Sequence, residues 1–274
     1  VYILDRTNGQ PLVGIEERAV PQEPRQATAA TQPYPLGDAF VTQTLDIPPE
    51  GFNLVNDGDI FTPFWKDPVL LRRSEANWPP STVDPRKGVM YVCAGERQAA
   101  YSTRTDVEQV ENGDRYTGGS MRFAPITTTG VVAAMDLRTN RRLWSQRWSS
   151  RCYSGLVATA GDLLFAGRND GRFTAMDSRD GTKLWEFMTD AGVNAPPSVF
   201  EYEGKQYIAV FSAGNLLAAS NRGDSMWLFR LLEEEEETSI ALEQITPPLA
   251  NSEGMALFQN SCVFCHGRGG ERGH

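Results

Sequence analysis

The sequence predicts an all-β protein of the β-propeller class. Residues 175–185, Ala-Met-Asp-Ser-Arg-Asp-Gly-Thr-Lys-Leu-Trp, have the pattern of a strand, a polar turn and a second strand. Residues 134–144 repeat this pattern with the Asp and the Trp each 41 positions earlier, and residues 2–9 hold a partial third copy. A period of about 40 residues built from short strands is typical of a propeller, with one repeat per blade. The alternative is two similar hairpins in an unrelated β domain, which the equal spacings disfavour.

The turn within the repeat explains several of its residues. Asp177 can accept hydrogen bonds from backbone amides on the far side of the turn, and Gly181 can supply a positive φ angle. Asn140 occupies the position of Gly181 in the other copy, and Asn tolerates a positive φ angle best after Gly. We expect Trp144 and Trp185 to pack between blades and not to contact a substrate.

The overall composition is ordinary for a globular protein, with 274 residues of which 40% are apolar and 10% aromatic. The net charge of −9 argues against nucleic acid as a partner, because phosphate binding needs a basic face. No run of about 18 apolar residues occurs, so no membrane-spanning helix is predicted. Because the chain begins inside a strand pattern and stops just after a cysteine motif, we expect it to be part of a longer protein.

The first half of the chain alternates predicted strands with two polar excursions. Residues 1–13 complete a blade, and the Pro-, Gln- and Thr-rich stretch 20–49 predicts a long irregular connection over a surface. A short β region is predicted at 59–71 and a buried strand at 89–94. The polar stretch 96–122 predicts the second excursion.

The second half contains the clearest blade pattern. A hairpin is predicted at 130–148 and two further strands at 155–167. Asn-Asp-Gly at 169–171 is a strong hairpin turn that leads into the repeat. The last strands are predicted at 207–212 and 225–231.

A cysteine motif near the end of the chain carries recognisable chemistry. Cys262-Val-Phe-Cys265-His266 is the attachment sequence for a c-type haem, in which two thiols form thioethers and the imidazole ligates the iron. A zinc site that adds His274 is the main alternative, although adjacent Cys and His suit haem better than a tetrahedral shell. A redox disulfide is a weaker alternative, because the thioredoxin-like context is missing.

The residues around this motif divide the chain into three parts. The propeller part is assigned to residues 1–232, and an acidic, Pro-containing linker with five consecutive Glu residues to 233–250. From residue 251 the spacing is helical, with Ser252 as a plausible cap. Residues 251–274 are therefore predicted to be the truncated start of an α-helical cytochrome c domain.

The two other cysteines, Cys93 and Cys152, leave two alternatives open. Haem attachment requires secretion, and an oxidising compartment would permit a disulfide between them. Two buried free thiols are an equally good interpretation of the sequence.

The chain resembles the pyrroloquinoline quinone (PQQ) dependent alcohol dehydrogenases, in their quinohaemoprotein branch. The resemblance is carried by the tryptophan repeat, by Cys-x-x-Cys-His, and by three further groups of residues: 77–81 with Gly88 and Tyr91, 156–165, and 195–197 with 202–208. It covers roughly residues 1–15 and 76–266. It implies an eight-bladed β-propeller, of which this chain holds about four blades, fused to a cytochrome c domain.

The resemblance also implies a cofactor site. In the family, PQQ lies on the propeller axis beside a calcium ion, and a carboxylate takes the proton of the substrate hydroxyl. The segments with that carboxylate and most calcium ligands precede the part matched here, so no catalytic base is assigned. Tyr153 and Ser154 correspond to a Trp-Gly stretch near PQQ, although Tyr153 is equally well interpreted as core. Asn215 and Leu216 correspond to a glycine-rich stretch near the cofactor.

One departure from the family pattern concerns the strand at 89–94. Many members have an Asn that contacts PQQ shortly after this strand, where Gly95 and Glu96 stand here. Glu96 is interpreted as a solvated loop residue in preference to a site carboxylate.

The function implied is a quinohaemoprotein oxidoreductase that oxidises an alcohol or related hydroxyl compound and passes electrons through haem c to a soluble or membrane acceptor. PQQ, haem c and calcium are the expected cofactors, and the location is periplasmic or secreted. An N-terminal propeller segment or a partner chain is expected to complete the ring. The alternatives are a non-catalytic propeller scaffold and an electron-transfer subunit without a working quinone site.

Overall fold

A computed structural model describes residues 1–42, 52, 54–103, 118–124 and 128–231. Within these ranges the chain forms β-strands and one 3-10 turn at Asn56–Gly58. The strands are β1 (Ile15–Ala19), β2 (Thr31–Pro35), β3 (Val69–Glu75), β4 (Thr82–Asp84), β5 (Val89–Thr103), β6 (Gly119–Phe123), β7 (Thr129–Asp136), β8 (Arg141–Trp148), β9 (Leu156–Ala158), β10 (Leu163–Gly167), β11 (Arg172–Asp177), β12 (Lys183–Met188), β13 (Ser198–Tyr202), β14 (Lys205–Ser212) and β15 (Ser225–Arg230).

The strands form antiparallel meanders of the kind that make propeller blades. Strands β9 to β12 make a four-stranded sheet in which each strand pairs with the next along the chain. Strands β4, β5, β7 and β8 make a second sheet, to which β3 and β6 add on the far half of β5. Strands β13, β14 and β15 make a third sheet, and β1 pairs with β2. The structure thus confirms a nearly all-β fold built from repeated sheets.

The burial of each strand follows its place in the sheet. Strands β7 and β11 lie inside their sheets and are buried along most of their length, so they have nearly continuous apolar runs. Strands β8 and β12 are edge strands; the exposed positions of β8 are mostly Arg and Gln, whereas those of β12 are Leu184, Trp185 and Met188 beside Lys183. The contrast explains why the inner strands were the clearest predictions.

Successive sheets pack face to face. Tyr91, Val132, Leu164 and Met176 belong to one buried cluster between the second sheet and the β9–β12 sheet. A second cluster joins the β9–β12 sheet to the β13–β15 sheet, and its members are Phe165, Phe173, Ala175, Val193 and Val210. A buried side chain of this size contributes about 1.5–3 kcal/mol to folding, so these two layers are the main source of stability.

The repeated turns have the geometry that the sequence predicted. Asp177 Oδ1 accepts a hydrogen bond from Arg179 N at 2.9 Å, and Gly181 has a φ angle of +78°. Asn140, the counterpart of that glycine, has a φ angle of +55°. The Arg179 side chain, which hydrogen-bonds to the carboxylate, lowers the pKa of Asp177 to about 2. In the partial third copy, Asp5 N donates to Gln10 O and an isolated bridge replaces full strands.

The tryptophans of the repeat join neighbouring sheets, as predicted. Trp144 Nε1 in β8 donates to Ser178 O at 3.1 Å, in the turn of the next sheet. A Cβ atom on Gly181 would lie 2.7 Å from Trp144 Cε3, so the indole rests directly on the glycine. Trp185 makes an edge contact with Phe229 of the following sheet, with 5.3 Å between ring centroids.

The expectation of an irregular connection over residues 20–49 is wrong in part. Residues 31–35 form β2, which pairs with β1 in the register Ile15 to Pro35. The prolines are tolerated because each strand of this two-stranded sheet is an edge strand. Beyond β2, Asn140 Nδ2 donates to Leu36 O at 2.7 Å, which ties this segment to the β7–β8 turn.

The polar excursion expected at 96–122 is also wrong in part. Strand β5 continues without interruption to Thr103, and β6 pairs with its second half. Strand β3 pairs with the same half on the other side, so the extension is a three-stranded arm. In the 59–71 region, the strand begins at Val69.

Three sequence expectations lie outside the described residues: the 233–250 linker, the 251–274 cytochrome segment and the Cys-x-x-Cys-His motif. In the part of the chain that the structure describes, no helix is long and apolar enough to cross a membrane.

Candidate functional site

A cavity of about 300 Å³ lies where three connections meet at one end of the sheets. The connections are the β8–β9 segment, the β10–β11 turn and the loop after β14. The arm formed by β5 supplies a further wall. The lining residues are Arg97, Thr128, Ser150, Arg151, Asn169, Asp170, Ala218 and Ala219.

Arg151 connects the cavity to Tyr153, which the family resemblance places near the cofactor. Its guanidinium lies over the ring of Tyr153, 4.5 Å from the centroid, and its Nη1 donates to Leu217 O at 2.8 Å. Tyr153 is 3% exposed. The tyrosine ring is therefore a buried support beneath a cationic side chain.

A buried amide connects the two segments assigned to the cofactor. Asn194 Nδ2 donates to Tyr153 O and to Asn169 Oδ1, both at 2.8 Å. Its Oδ1 accepts from Ser220 Oγ at 2.6 Å, and Ser220 Oγ in turn accepts from Asn215 N at 2.8 Å. The structure thus brings residues 153–154 and 214–216 together across 60 positions of sequence through Asn194 and Ser220.

The other predicted site residues hold different positions. Ser154 is fully buried, and its Oγ donates to Ala195 O at 3.3 Å. Asn215 Oδ1 accepts from Leu217 N at 2.8 Å, so this oxygen fixes the loop after β14. The Leu216 side chain is exposed.

Cys93 and Cys152 form a disulfide with 5.5 Å between their Cα atoms. This resolves the two alternatives that the sequence left open. The bond ties β5 to the segment that carries Tyr153, directly beneath the cavity wall. The floor of the site is therefore covalently attached to the neighbouring sheet.

The interpretation of Glu96 as a solvated loop residue is wrong. Glu96 lies in β5 and is 2% exposed. Its carboxylate is paired with Arg72 and with Arg147 Nε at 2.9 Å, and it accepts from Thr129 Oγ1 at 2.7 Å. A buried carboxylate is tolerated because these partners compensate for its lost hydration.

Sequence reasoning missed the basic character of the cavity. Arg97 and Arg151 line it, and Arg168, which pairs with the lining residue Asp170, lies over Trp148 at 4.7 Å from the ring centroid. Each of these arginines follows a predicted strand, and basic residues at strand ends in an acidic chain are a sequence signal that could have identified the basic cavity. Asn194 follows no pattern that would have distinguished it from other loop amides.

Among the residues that the structure describes, no three His, Cys, Asp or Glu side chains lie together as a metal-binding cluster. Cys262, Cys265 and His266 lie outside the described residues.

Two family models match the chain. One, described as outer membrane protein assembly factor BamB, matches residues 88–268. The other, described as the β-propeller domain of glucose, ethanol and alcohol dehydrogenases, matches residues 1–118.

Two curated relatives are quinoprotein dehydrogenases. The quinoprotein ethanol dehydrogenase of Pseudomonas aeruginosa is 30% identical over 179 residues, which are 60% of this chain and 28% of that protein. The quinohemoprotein alcohol dehydrogenase ADH IIB of Pseudomonas putida is 25% identical over 234 residues, which are 74% of this chain and 34% of that protein. The chain thus spans about a third of the length of these relatives.

A solved structure agrees in fold. The europium-containing methanol dehydrogenase superposes on 84% of this chain and 43% of its own, with a TM-score of 0.58 and 22% identity. The repeated sheets, the tryptophan contacts and this likeness define a β-propeller fold. The dehydrogenase propeller model and the quinoprotein relatives show the family: the chain belongs to the PQQ-dependent alcohol dehydrogenases.

Proposed function

We propose that the chain is part of a quinohaemoprotein oxidoreductase that oxidises an alcohol or related hydroxyl compound at PQQ and passes electrons through haem c to an external acceptor. The proposed alcohol oxidation is supported by the cationic cavity, because this cavity lies between the two segments that the family resemblance assigns to the cofactor. The proposed electron transfer is supported by the Cys-x-x-Cys-His motif, which is the attachment sequence for a c-type haem.

The described residues fit a planar anionic cofactor. Arg97 and Arg151 offer guanidinium groups that bind carboxylates at their edge, and Tyr153 supports one of them from below. Asn194 and Ser220 hold the opposing loop in place. PQQ, when bound, supplies a two-electron acceptor, whereas haem accepts one electron at a time. The protein's part is to bind, orient and enclose the reactants.

For calcium, the residues that the structure describes offer no cluster of ligands. We propose that the calcium ligands and the catalytic base come from an N-terminal propeller segment or a partner chain.

An incomplete ring agrees with the exposed face of the last sheet. Strands β13 to β15 bury one face against β9–β12, while Phe211, Met226 and Leu228 on the other face are exposed. An apolar sheet face of this kind needs a neighbour. We propose that the next blade covers it in an eight-bladed ring of which this chain supplies about half.

The proposed location is periplasmic or secreted. The Cys93–Cys152 disulfide supports it, because such bonds persist in oxidising compartments. The external acceptor is then a soluble or membrane redox protein, and the net charge of −9 favours a basic one by steering.

The test uses the complete protein, reconstituted with PQQ and calcium. We expect alcohol-dependent dye reduction, alcohol-dependent reduction of the haem absorbance band, and a denatured mass that exceeds the polypeptide by one haem. The double variant Cys262→Ser/Cys265→Ser should lose the added mass and the haem signal while PQQ binding is retained. Wild-type protein without any alcohol-dependent reduction would contradict the proposal.

A scaffold function is the second candidate, favoured by the description of the family model that matches residues 88–268. A scaffold would carry neither PQQ nor haem. The mass measurement and a PQQ titration therefore separate the two candidates, and haem without PQQ binding would indicate an electron-transfer subunit.

A further inference from the structure

A second cavity, of about 230 Å³, lies between the β1–β2 hairpin and the segment that precedes β3. The hairpin contributes Val20, Pro21, Gln26, Thr28, Ala29 and Gln32 to the lining, and the segment contributes residues 60–64. None of these residues lines the cavity of the candidate site. The proposed alcohol oxidation therefore uses no part of this cavity, which is open to a different ligand.

Both walls of this second cavity are held in place by hydrogen bonds. Gln22 Nε2 donates to Ala29 O at 2.7 Å, and Thr28 Oγ1 donates to Gln22 Oε1 at 3.1 Å. Gln26 Nε2 donates to Phe64 O at 3.0 Å. The hairpin loop is thus braced within itself and tied to the opposite wall, so a ligand would meet a cavity that is already formed.

Strand β2 turns one amide toward the second cavity. Gln32 and Tyr34 are two positions apart in β2, so their side chains lie on the same face of the strand. Tyr34 makes an edge contact with Phe61 of the opposite wall, with 5.3 Å between ring centroids. Gln32 is half-buried in the lining, and within the described part of the chain its side chain makes no hydrogen bond. Its carbonyl and its amide can therefore both serve a ligand.

The polar part of the lining is uncharged. It consists of the amides of Gln26 and Gln32 and the hydroxyls of Thr28 and Thr62, and no described residue of the lining is ionisable. A charged ligand would lose hydration here without gaining a counter-charge. Because amides and Thr hydroxyls offer both donors and acceptors, they match hydroxyl groups, which also donate and accept.

The rest of the lining is apolar. Ile60, Phe61, Pro63 and Phe64 form most of this surface on the side of the segment before β3. A matching ligand therefore needs carbon-bound hydrogens for these side chains and hydroxyls for the amides. A pyranose ring has both, with C–H groups on its faces and hydroxyls around its rim. The volume is below that of drug-sized sites and suits a single ring.

We propose that the second cavity binds a neutral monosaccharide and that Gln32 hydrogen-bonds to its hydroxyl groups. The inference goes beyond the proposed function, because the cavity is separate from the candidate site and the binding requires neither PQQ nor haem. A ligand of this size is expected to bind in the millimolar range.

The experiment uses the complete protein without PQQ, and glucose is the probe. Hydrogen-exchange mass spectrometry with saturating glucose locates the bound sugar, and a glucose titration of the exchange rates gives its affinity. We expect exchange to slow in residues 20–32 and 59–65, the two walls of the cavity. Glucosamine and glucuronate, which add a charge of either sign to the same ring, should bind more weakly than glucose.

The variant Gln32→Leu removes the amide, keeps a side chain of similar size and breaks no hydrogen bond among the described residues. We expect it to weaken glucose binding about threefold to tenfold, as for the loss of one hydrogen bond. Gln206→Leu is the matched control, because Gln206 is an exposed glutamine of β14 outside the lining. Circular dichroism melting checks folding, and Gln32→Ala replaces Gln32→Leu if the latter does not fold.

Unchanged exchange in residues 20–32 and 59–65 of the wild type would overturn this inference. Slowed exchange confined to residues 150–154 and 213–220, which belong to the candidate site, would also overturn it. Equal glucose affinity in the wild type and Gln32→Leu, or tighter binding of either charged sugar, would have the same consequence. A complete protein that reduces no dye with alcohol would instead contradict the proposed function and leave the glucose results to be judged on their own.

Discussion

At the scale of single residues, the Asp177 carboxylate is a local source of pH-dependent stability. The Arg179 side chain and its backbone amide hydrogen-bond to the carboxylate and lower its pKa from 3.8 to about 2. Because the pKa is lower in the folded state, the stabilisation is complete above about pH 4 and is lost as the pH falls toward 2.

We predict that Asp177→Asn removes this pH dependence. The difference in Tm between the wild type and Asp177→Asn should be constant above pH 5 and shrink between pH 4 and 2. Thermal melts of the complete protein at several pH values measure it. Arg179→Gln should reproduce the effect, and the double variant should add nothing further. A gap that stays constant down to pH 2 would show that the carboxylate does not act in this way.

The second residue-scale prediction concerns Glu96. Glu96→Gln leaves Arg72 and Arg147 without their carboxylate, and breaking a largely buried pair costs about 3 kcal/mol in the free energy of unfolding. Urea titration of the complete protein measures this loss. The matched control is Arg147→Gln, whose side chain is 62% exposed and should cost less than about 1 kcal/mol. Equal losses in the free energy of unfolding for the two variants would contradict the greater importance of the buried Glu96 carboxylate.

The same residue shows what sequence could not predict. Asp177, Gly181 and Asn140 have their structural roles within their own turns, so a local sequence pattern identified them. The Glu96 carboxylate binds Arg72 and Arg147, which are 24 and 51 positions away in the sequence. No local pattern reveals such partners, and the polar residues around Glu96 suggested a solvated loop. The cationic cavity was missed for the same reason, since its arginines come from separate segments.

At the scale of elements, the contact between one sheet and the next turn depends on Gly181. Adding a Cβ there creates an approach of 2.7 Å to Trp144 at a φ angle of +78°. Gly204 has a φ angle of +74° and nothing within 4 Å of the added atom. The two positions therefore share the backbone strain and differ in the steric conflict.

We predict that Gly204→Ala destabilises the complete protein by about 1–2 kcal/mol, through the left-handed backbone alone. Gly181→Ala should cost about 1–3 kcal/mol more, because the indole must move. Chemical denaturation followed by tryptophan fluorescence measures both. Equal effects would show that the docking of Trp144 contributes nothing beyond the turn.

The disulfide gives a further prediction at this scale. It closes a loop of 59 residues between β5 and the segment before β9. A loop of that length corresponds to about 4 kcal/mol of stabilisation. The double variant Cys93→Ala/Cys152→Ala should therefore melt well below the wild type in the absence of reductant. In the presence of reductant the two proteins should converge.

The elements themselves were largely predictable. Strands β7, β10, β11, β14 and β15 combine apolar runs with turn residues, and the structure confirms them. The β5 extension and β2 escaped prediction, because edge pairing uses backbone groups and tolerates polar and proline side chains.

At the scale of the whole molecule, the apolar outer face of the β13–β15 sheet is expected to pack against another element. Leu228 is 60% exposed and Met226 is 73% exposed in this chain. Completion of the ring would bury both. The fold class was predictable from the repeat, whereas no local pattern identifies the element that would cover an apolar sheet face.

We predict that Leu228→Glu destabilises the complete protein by about 2 kcal/mol or more, because a covered face cannot accommodate a charge. Leu184→Glu is the control: Leu184 is 54% exposed on the edge strand β12. It should change the free energy of unfolding by less than about 0.5 kcal/mol. Urea unfolding compares the two, and a tolerated Leu228→Glu would argue against an adjoining blade.

The Cys93–Cys152 bond also bears on the order in which the protein matures. Four thiols can form six different disulfides, and each of the five other than Cys93–Cys152 consumes a sulfur of the Cys-x-x-Cys-His motif. A thioether forms from a free thiol, so oxidation of the wrong pair would block haem attachment. Folding that brings Cys93 and Cys152 within 5.5 Å of each other at their Cα atoms removes both from competition. If the motif binds haem as proposed, this disulfide in the propeller would leave both of its thiols free for attachment.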